Sequence, residues 1–127
     1  METPNAILTV ESKGKVCVVK FKCSEIGMDE SGGFYEELKK LANSGKLFIL
    51  VDFSNVAYIS SLVLAALISG LKNTKSKGGS LKLCCLQDKV RQTIEMTQLN
   101  KVFEVYPDVD TALKDGKWEK GEVIEFK

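Results

Sequence analysis

The chain contains no histidine. That absence removes the usual general base near neutral pH, every Cys/His or Ser/His pair, and every metal set built on imidazole. The four cysteines, Cys17, Cys23, Cys84 and Cys85, have no Cys-x-x-Cys spacing, so neither a zinc knuckle nor a thioredoxin-type redox pair is indicated. Cys84 and Cys85 are neighbours in a strand-like run, which would send their side chains to opposite faces. Each cysteine reads first as a small buried apolar residue. No metal site and no cofactor is assigned. An excess of charge of one sign is also missing. Eighteen Lys and Arg against 17 Asp and Glu leave a formal net charge of +1, which offers no electrostatic case for a nucleic acid or an anionic membrane partner. The longest apolar stretch, around residues 56–71, is interrupted by serines and Gly70 and falls short of the roughly 20 apolar residues that cross a bilayer. The first five residues lack the basic start and apolar core of a signal peptide. A cytoplasmic protein is expected.

The residues that are present describe an ordinary globule, with 44% apolar and 28% charged side chains in a chain of 127. One domain is expected over residues 1–116, followed by a tail at 117–127 that reads as a loose strand or a disordered end.

Residues 6–12 and 15–22 read as strands joined by the tight Lys13-Gly14 turn, an antiparallel hairpin. Residues 23–33 read as a loop because three glycines break the periodicity. A helix is expected from about Gly33 to Asn43, with Phe34, Leu38 and Leu41 inward, closed by Ser44-Gly45. Residues 47–51 are apolar at every position, the mark of a central strand covered on both faces. A helix after Ser61 would place Leu64, Leu67, Ile68 and Leu71 together. Residues 81–86 read as another strand. Asp88 is a candidate N-cap for a helix through Thr97, with Val90, Ile94 and Met96 as its apolar positions. Residues 101–106 read as a short strand ended by Pro107. A last helix would run from Asp108, with Val109, Ala112 and Leu113 inward and Gly116 at its end. This order predicts an α/β fold: a mixed sheet of four or five strands with helices mainly on one face, because right-handed crossovers between neighbouring parallel strands keep their helices on one side. The other face should be partly open, with Lys82 on it.

The most informative segment is Leu50-Val51-Asp52-Phe53-Ser54-Asn55-Val56-Ala57-Tyr58-Ile59-Ser60-Ser61-Leu62-Val63-Leu64. A buried strand ends at Asp52, a loop follows, and two serines stand where a helix begins. Serine is a preferred N-cap, contributing about 1 kcal/mol. The same place, at the positive end of a helix dipole, also suits a phosphate of about −1.5 to −2 charge. Both readings of the serine pair are open from spacing alone. Asp52 has no histidine and no second carboxylate in the motif, so a role holding loop amides is favoured over catalysis. Gly78-Gly79 lacks the Lys-Ser pair of a phosphate-binding loop and precedes a strand, so it reads as a turn.

This segment resembles the STAS (sulfate transporter and anti-sigma factor antagonist) family, whose pattern runs apolar-apolar-Asp-apolar-Ser-x-Val-x-aromatic-Ile-[Asp/Ser]-Ser. The resemblance extends over residues 7–113. It is carried further by Gly78-Gly79-Ser80-Leu81-Lys82-Leu83, Val90-Arg91, Thr97-Gln98-Leu99, Val102-Phe103-Glu104-Val105-Tyr106 and Asp108-Val109-Asp110-Thr111-Ala112-Leu113. It implies an anti-sigma factor antagonist: a non-enzymatic binding module that engages an anti-sigma serine kinase, is switched by serine phosphorylation and is reset by a serine phosphatase. The modified serine of the family corresponds to Ser61, with Ser60 as the alternative. Asp52, Ser60, Ser61, Leu62, Val63 and Arg91 are the implied partner-binding residues. Leu62-Val63 replaces the family's small residue and glycine, and residues 22–29 depart from its Gly-x-[Leu/Ile]-Asp loop. The alternative reading is a STAS scaffold or ligand-sensing domain without phosphorylation. In that reading Leu62, Val63 and the variant loop form a fixed contact. An enzyme would rest on the free thiols alone.

Overall fold

The structure is a computed structural model that describes residues 7–121. A hairpin opens the chain, β1 (Leu8–Lys13) and β2 (Val16–Phe21), and Gly14 turns it with φ +65°. Then helix and strand alternate: α1 (Met28–Asn43), β3 (Phe48–Asp52), α2 (Ser61–Lys75), β4 (Ser80–Cys84), α3 (Asp88–Met96), a 3₁₀ turn at Leu99–Lys101, β5 (Val105–Tyr106) and α4 (Val109–Asp115). The five strands lie in chain order, β1-β2-β3-β4-β5. β1 pairs antiparallel with β2, and the other pairs are parallel.

Each parallel crossover steps to the next strand in the same direction, so α1, α2 and α3 share one face. Phe21, Phe34, Leu38, Phe53, Val63, Leu67, Leu83, Val90 and Ile94 form the larger core there. Phe21 stacks obliquely on Phe34 and Phe53, with ring centroids at 4.8 and 5.5 Å, within the range for favourable aromatic pairs. Strand alternation sends Val16, Val18, Leu50 and Cys84 to the opposite side. There a second core forms with Ala112 of α4 and Trp118.

Several of the sequence expectations need correction. The second sheet face is covered rather than open: α4 and Trp118 lie on it, and Lys82 is buried beneath them. α1 begins five residues before Gly33, because Gly27 and Glu30 build a capping arrangement in which the Gly27 N–H donates to Glu30 Oε1 at 2.9 Å. Packing of Phe34, Leu38 and Leu41 into the core offsets the helix cost of Gly32 and Gly33. Gln87, not Asp88, is the N-cap residue of α3, and Met96 points to solvent. The strand expected at 101–106 shrinks to Val105–Tyr106: Lys101 ends the 3₁₀ turn, residues 102–104 are irregular, and pairing is confined to Leu83 with Val105 and Cys84 with Tyr106. Asp108 does cap α4, accepting from the Thr111 N–H at 2.7 Å. In the tail, Trp118 is buried and its Nε1–H donates to the Ala112 carbonyl at 2.8 Å, while the Gly121 N–H donates to Gly78. Val123, Ile124 and Phe126 lie outside the described residues. Among the described residues no helix is long and apolar enough to cross a membrane.

Candidate functional site

The loop from Phe53 to Ser60 joins the C-terminal end of β3 to α2 and is tied down along its length. Asp52 Oδ1 accepts from the Ser54 N–H at 2.8 Å, the loop-amide role expected of it. The carboxylate is buried, so it shapes the loop from beneath and is not itself a contact surface. Asn55 Nδ2 donates to the Phe21 carbonyl at 3.0 Å, and Gln87 Nε2 donates to the Ser54 carbonyl at 2.7 Å. The Ala57 N–H reaches back to the Ser24 carbonyl at 2.9 Å, and Glu25 bridges to Tyr58. The early loop and the serine loop therefore lie side by side. Asn55 and Gln87 hold this site together, yet neither was singled out from the sequence, since an amide reaching a distant carbonyl leaves no periodic trace.

The two serines differ sharply. Ser60 is the N-cap residue of α2, with extended backbone (φ −96°, ψ 170°). Its hydroxyl makes no capping hydrogen bond and is shielded from solvent without a partner. Ser61 is the first helical residue and is exposed. The alternative acceptor, Ser60, is thus out of reach of another protein because its oxygen faces inward. The N-cap role open to the pair from spacing is not made by a side chain. The backbone carbonyl of Ser60 accepts instead, from Val63 at 3.1 Å and Leu64 at 3.3 Å.

Leu62 and Val63 also part company. Leu62 is 45% exposed and Val63 is 0% exposed, because a helix rotates about 100° between adjacent residues. Val63 packs in the larger core and cannot line a docking surface. Arg91 likewise has a local role: its guanidinium donates to the Leu86 carbonyl at 3.1 Å and lies 3.4 Å from Asp88. It braces the start of α3 rather than the serine loop.

Beside Ser61 lies an apolar groove of about 420 Å³ between the two longest helices, lined by Met28, Gly32 and Tyr35 from α1 and by Leu62, Ala65 and Ser69 from α2. Met28 is 76% and Tyr35 37% exposed along it, large apolar side chains of a kind that marks interaction surfaces when they are contiguous. At the same C-terminal end of β3 and β4, the carboxylate of Asp52 and the thiols of Cys84 and Cys85 lie together, with ligand-capable atoms within 4.8 Å of one another. The expectation that the two thiols point apart is overturned, because Cys85 takes a left-handed backbone conformation, φ 64°. Burial pushes the Cys84 thiol far up, with Cys85 and the carboxylates of Asp52 and Asp108 adding to it. Burial raises Cys85 as well.

The STAS domain model matches residues 8–112. A Thermotoga neapolitana protein, provisionally named an anti-sigma factor antagonist, is 29% identical over 73 residues, which is 58% of this chain and 65% of that protein. The chain therefore spans slightly less than two thirds of that relative's length. Among solved structures, an anti-sigma factor antagonist from Mycobacterium paratuberculosis superposes with a TM-score of 0.74 at 24% identity, covering 91% of this chain and 97% of that one. The Bacillus cell fate determinant SpoIIAA in its phosphorylated form superposes with a TM-score of 0.69 at 12% identity, covering 87% and 99%. These likenesses establish the fold.

Proposed function

The chain belongs to the STAS domain family, and on that premise we propose that it is a cytoplasmic anti-sigma factor antagonist switched by phosphorylation of Ser61. The observation that carries the reading is the division of labour at the start of α2. Ser61 is exposed at the first helical position, free of a capping role, and next to it begins an apolar groove. In this reading the domain, residues 1–116 with the packed start of the tail, is a binding module and not an enzyme.

The switch needs more than the helix dipole. Swinging a population from 1:99 to 99:1 takes about 5.5 kcal/mol of differential affinity, while the dipole contributes about 0.3–1 kcal/mol. The groove supplies the rest. An anti-sigma serine kinase seated over Leu62, Tyr35 and Met28 would have to strip water from a phosphate on Ser61, and desolvating a charge without a partner is costly. Dephosphorylation by a serine phosphatase would restore docking. Ser60 and Asp52 support the loop from within, and Leu62 is the contact residue of the original set.

The test is reconstitution with an anti-sigma serine kinase from the same genome and ATP. Phosphate is expected on Ser61, with none on the Ser61→Ala variant, and Ser61→Asp should bind the kinase at least 100-fold more weakly than Ser61→Ala. Incorporation at another residue, or equal binding by the two variants, overturns the switch. The second reading, a scaffold or ligand-sensing STAS domain, draws on the same groove. A stable complex indifferent to Ser61 but lost on Leu62→Asp would select it.

A further inference from the structure

β3 and β4 run parallel, and their register sets Asp52 directly beside Cys84. Paired residues on neighbouring strands point to the same face, so carboxylate and thiol start out as neighbours. Strand alternation would send the next side chain, Cys85, to the other face. The strand ends there instead. Cys85 adopts φ 64°, a left-handed conformation that non-glycine residues rarely take without support from their surroundings. Its backbone N–H donates to the Tyr106 carbonyl at 3.1 Å, which holds the turn. The outcome is a second thiol brought round to the first. The Asp52 carboxylate and the two thiols offer three ligand-capable atoms that fall within 4.8 Å of one another. The Asp52 carboxylate is oriented in advance by the Ser54 N–H. Asp52 and Cys84 are buried and Cys85 half-buried, so Cys85 marks the side from which an ion would enter. The cluster sits beyond the C-terminal ends of parallel strands, where open α/β sheets receive their ligands.

We propose that Asp52, Cys84 and Cys85 form a binding site for a thiophilic divalent cation of the zinc and cadmium class. Two sulfurs and one carboxylate oxygen supply three corners of a tetrahedron, and water takes the fourth. Zinc–sulfur bonds of about 2.3 Å and zinc–oxygen bonds of about 2.0–2.2 Å put tetrahedral ligand atoms roughly 3.5–3.8 Å apart. A cluster spread over at most 4.8 Å therefore closes onto the ion by no more than about an ångström. Hard cations such as magnesium and calcium require six or more oxygens and do not fit the donor set. Binding releases the two thiol protons to solvent. The dication then meets two thiolates and one carboxylate, a net charge of −1 at the centre.

The test is titration of the reduced full chain with zinc and with cadmium, read by calorimetry, native mass spectrometry and the thiolate-to-cadmium charge-transfer band. One ion per chain is expected, with no uptake of magnesium. Cys85→Ser should weaken cadmium binding at least tenfold and cut the charge-transfer intensity by about half, Asp52→Asn should weaken it without reducing the band, and the Cys17→Ser/Cys23→Ser double variant should bind as the parent does. Circular dichroism checks the fold of each variant. Failure of the parent protein to take up one ion per chain overturns the site without recourse to any variant. Undiminished uptake by a folded Cys84→Ser/Cys85→Ser variant does so as well.

Discussion

The ammonium of Lys82 lies 2.6 Å from Glu104 Oε2, joining β4 to the residue that precedes β5. The two ends of the bridge inhabit different media: the Lys82 side chain is 5% exposed and that of Glu104 is 61%. Trp118 closes over the ammonium at 5.3 Å from its ring centroid, and the Tyr106 hydroxyl donates to the other Glu104 oxygen at 2.6 Å.

This asymmetry predicts opposite outcomes for the two partners. Glu104→Gln removes the counter-charge from a buried ammonium and should cost about 1–2 kcal/mol, a figure kept low by solvent screening at the exposed carboxylate. Lys82→Met removes the buried charge itself and should be neutral within about 1 kcal/mol. Urea denaturation midpoints compare the two.

The same bridge carries a pH signature. Lys82 first, then Tyr106, holds the Glu104 carboxyl below its ordinary value of 4.5. A carboxyl depressed in the folded state stabilises the fold above its unfolded value and loses that contribution as pH falls through the folded one. The stability gap between the parent and Glu104→Gln should be full at neutral pH and shrink as pH drops below about 4.5, measured as denaturation midpoints across an acid series.

Trp118 belongs to the domain. It is buried, hydrogen-bonded to Ala112 and packed in the second core. Trp118→Ala should cost about 3–5 kcal/mol, and a chain ending at Gly116 should lose at least as much. Thermal denaturation would show either loss.

Two glycines predict contrasting responses to alanine. At Gly79 an added Cβ would run into the Leu47 carbonyl, which is already accepting from the Ser80 N–H at 2.9 Å. Gly79→Ala should destabilise by about 1–3 kcal/mol. At Gly32, inside α1, nothing lies within 4 Å of an added Cβ. Gly32→Ala should stabilise by about 0.5–1 kcal/mol through helix propensity. Denaturant titration separates them.

Neighbours in α2 separate docking from stability. Leu62→Asp should leave the melting temperature nearly unchanged and abolish kinase binding. Val63→Ala, which empties core volume, should lose about 2 kcal/mol and bind normally once folded. Calorimetric melting and a binding titration on each variant check the pair.

The hairpin, the central strand and the long helices were legible because each repeats a period, two for strands and 3.6 for helices, over enough residues to register. The serine loop was legible from the order of residues around Asp52. What escaped has a common character: it depends on partners distant in the chain. Lys82 looks like a solvent-facing strand residue until Trp118, far along the sequence, is folded over it. Val63 looks as available as Leu62 until helix rotation is resolved against the core. Cys84 and Cys85 obey alternation on paper and break it because one backbone angle reverses. Met96 shows the opposite error, an apolar residue at plausible spacing with nothing above it to pack against.

Strand order follows chain order without exception among the five strands. As synthesis proceeds, each new β-strand meets a waiting edge that was completed just before it, so assembly advances laterally like courses of brick, with no gap left for a later segment to fill. Only the final layer, α4 and Trp118, follows all five strands in the chain. Until that layer folds over, the reverse side of the sheet stands bare, so its seal is the part of the architecture that local order along the chain cannot supply in advance.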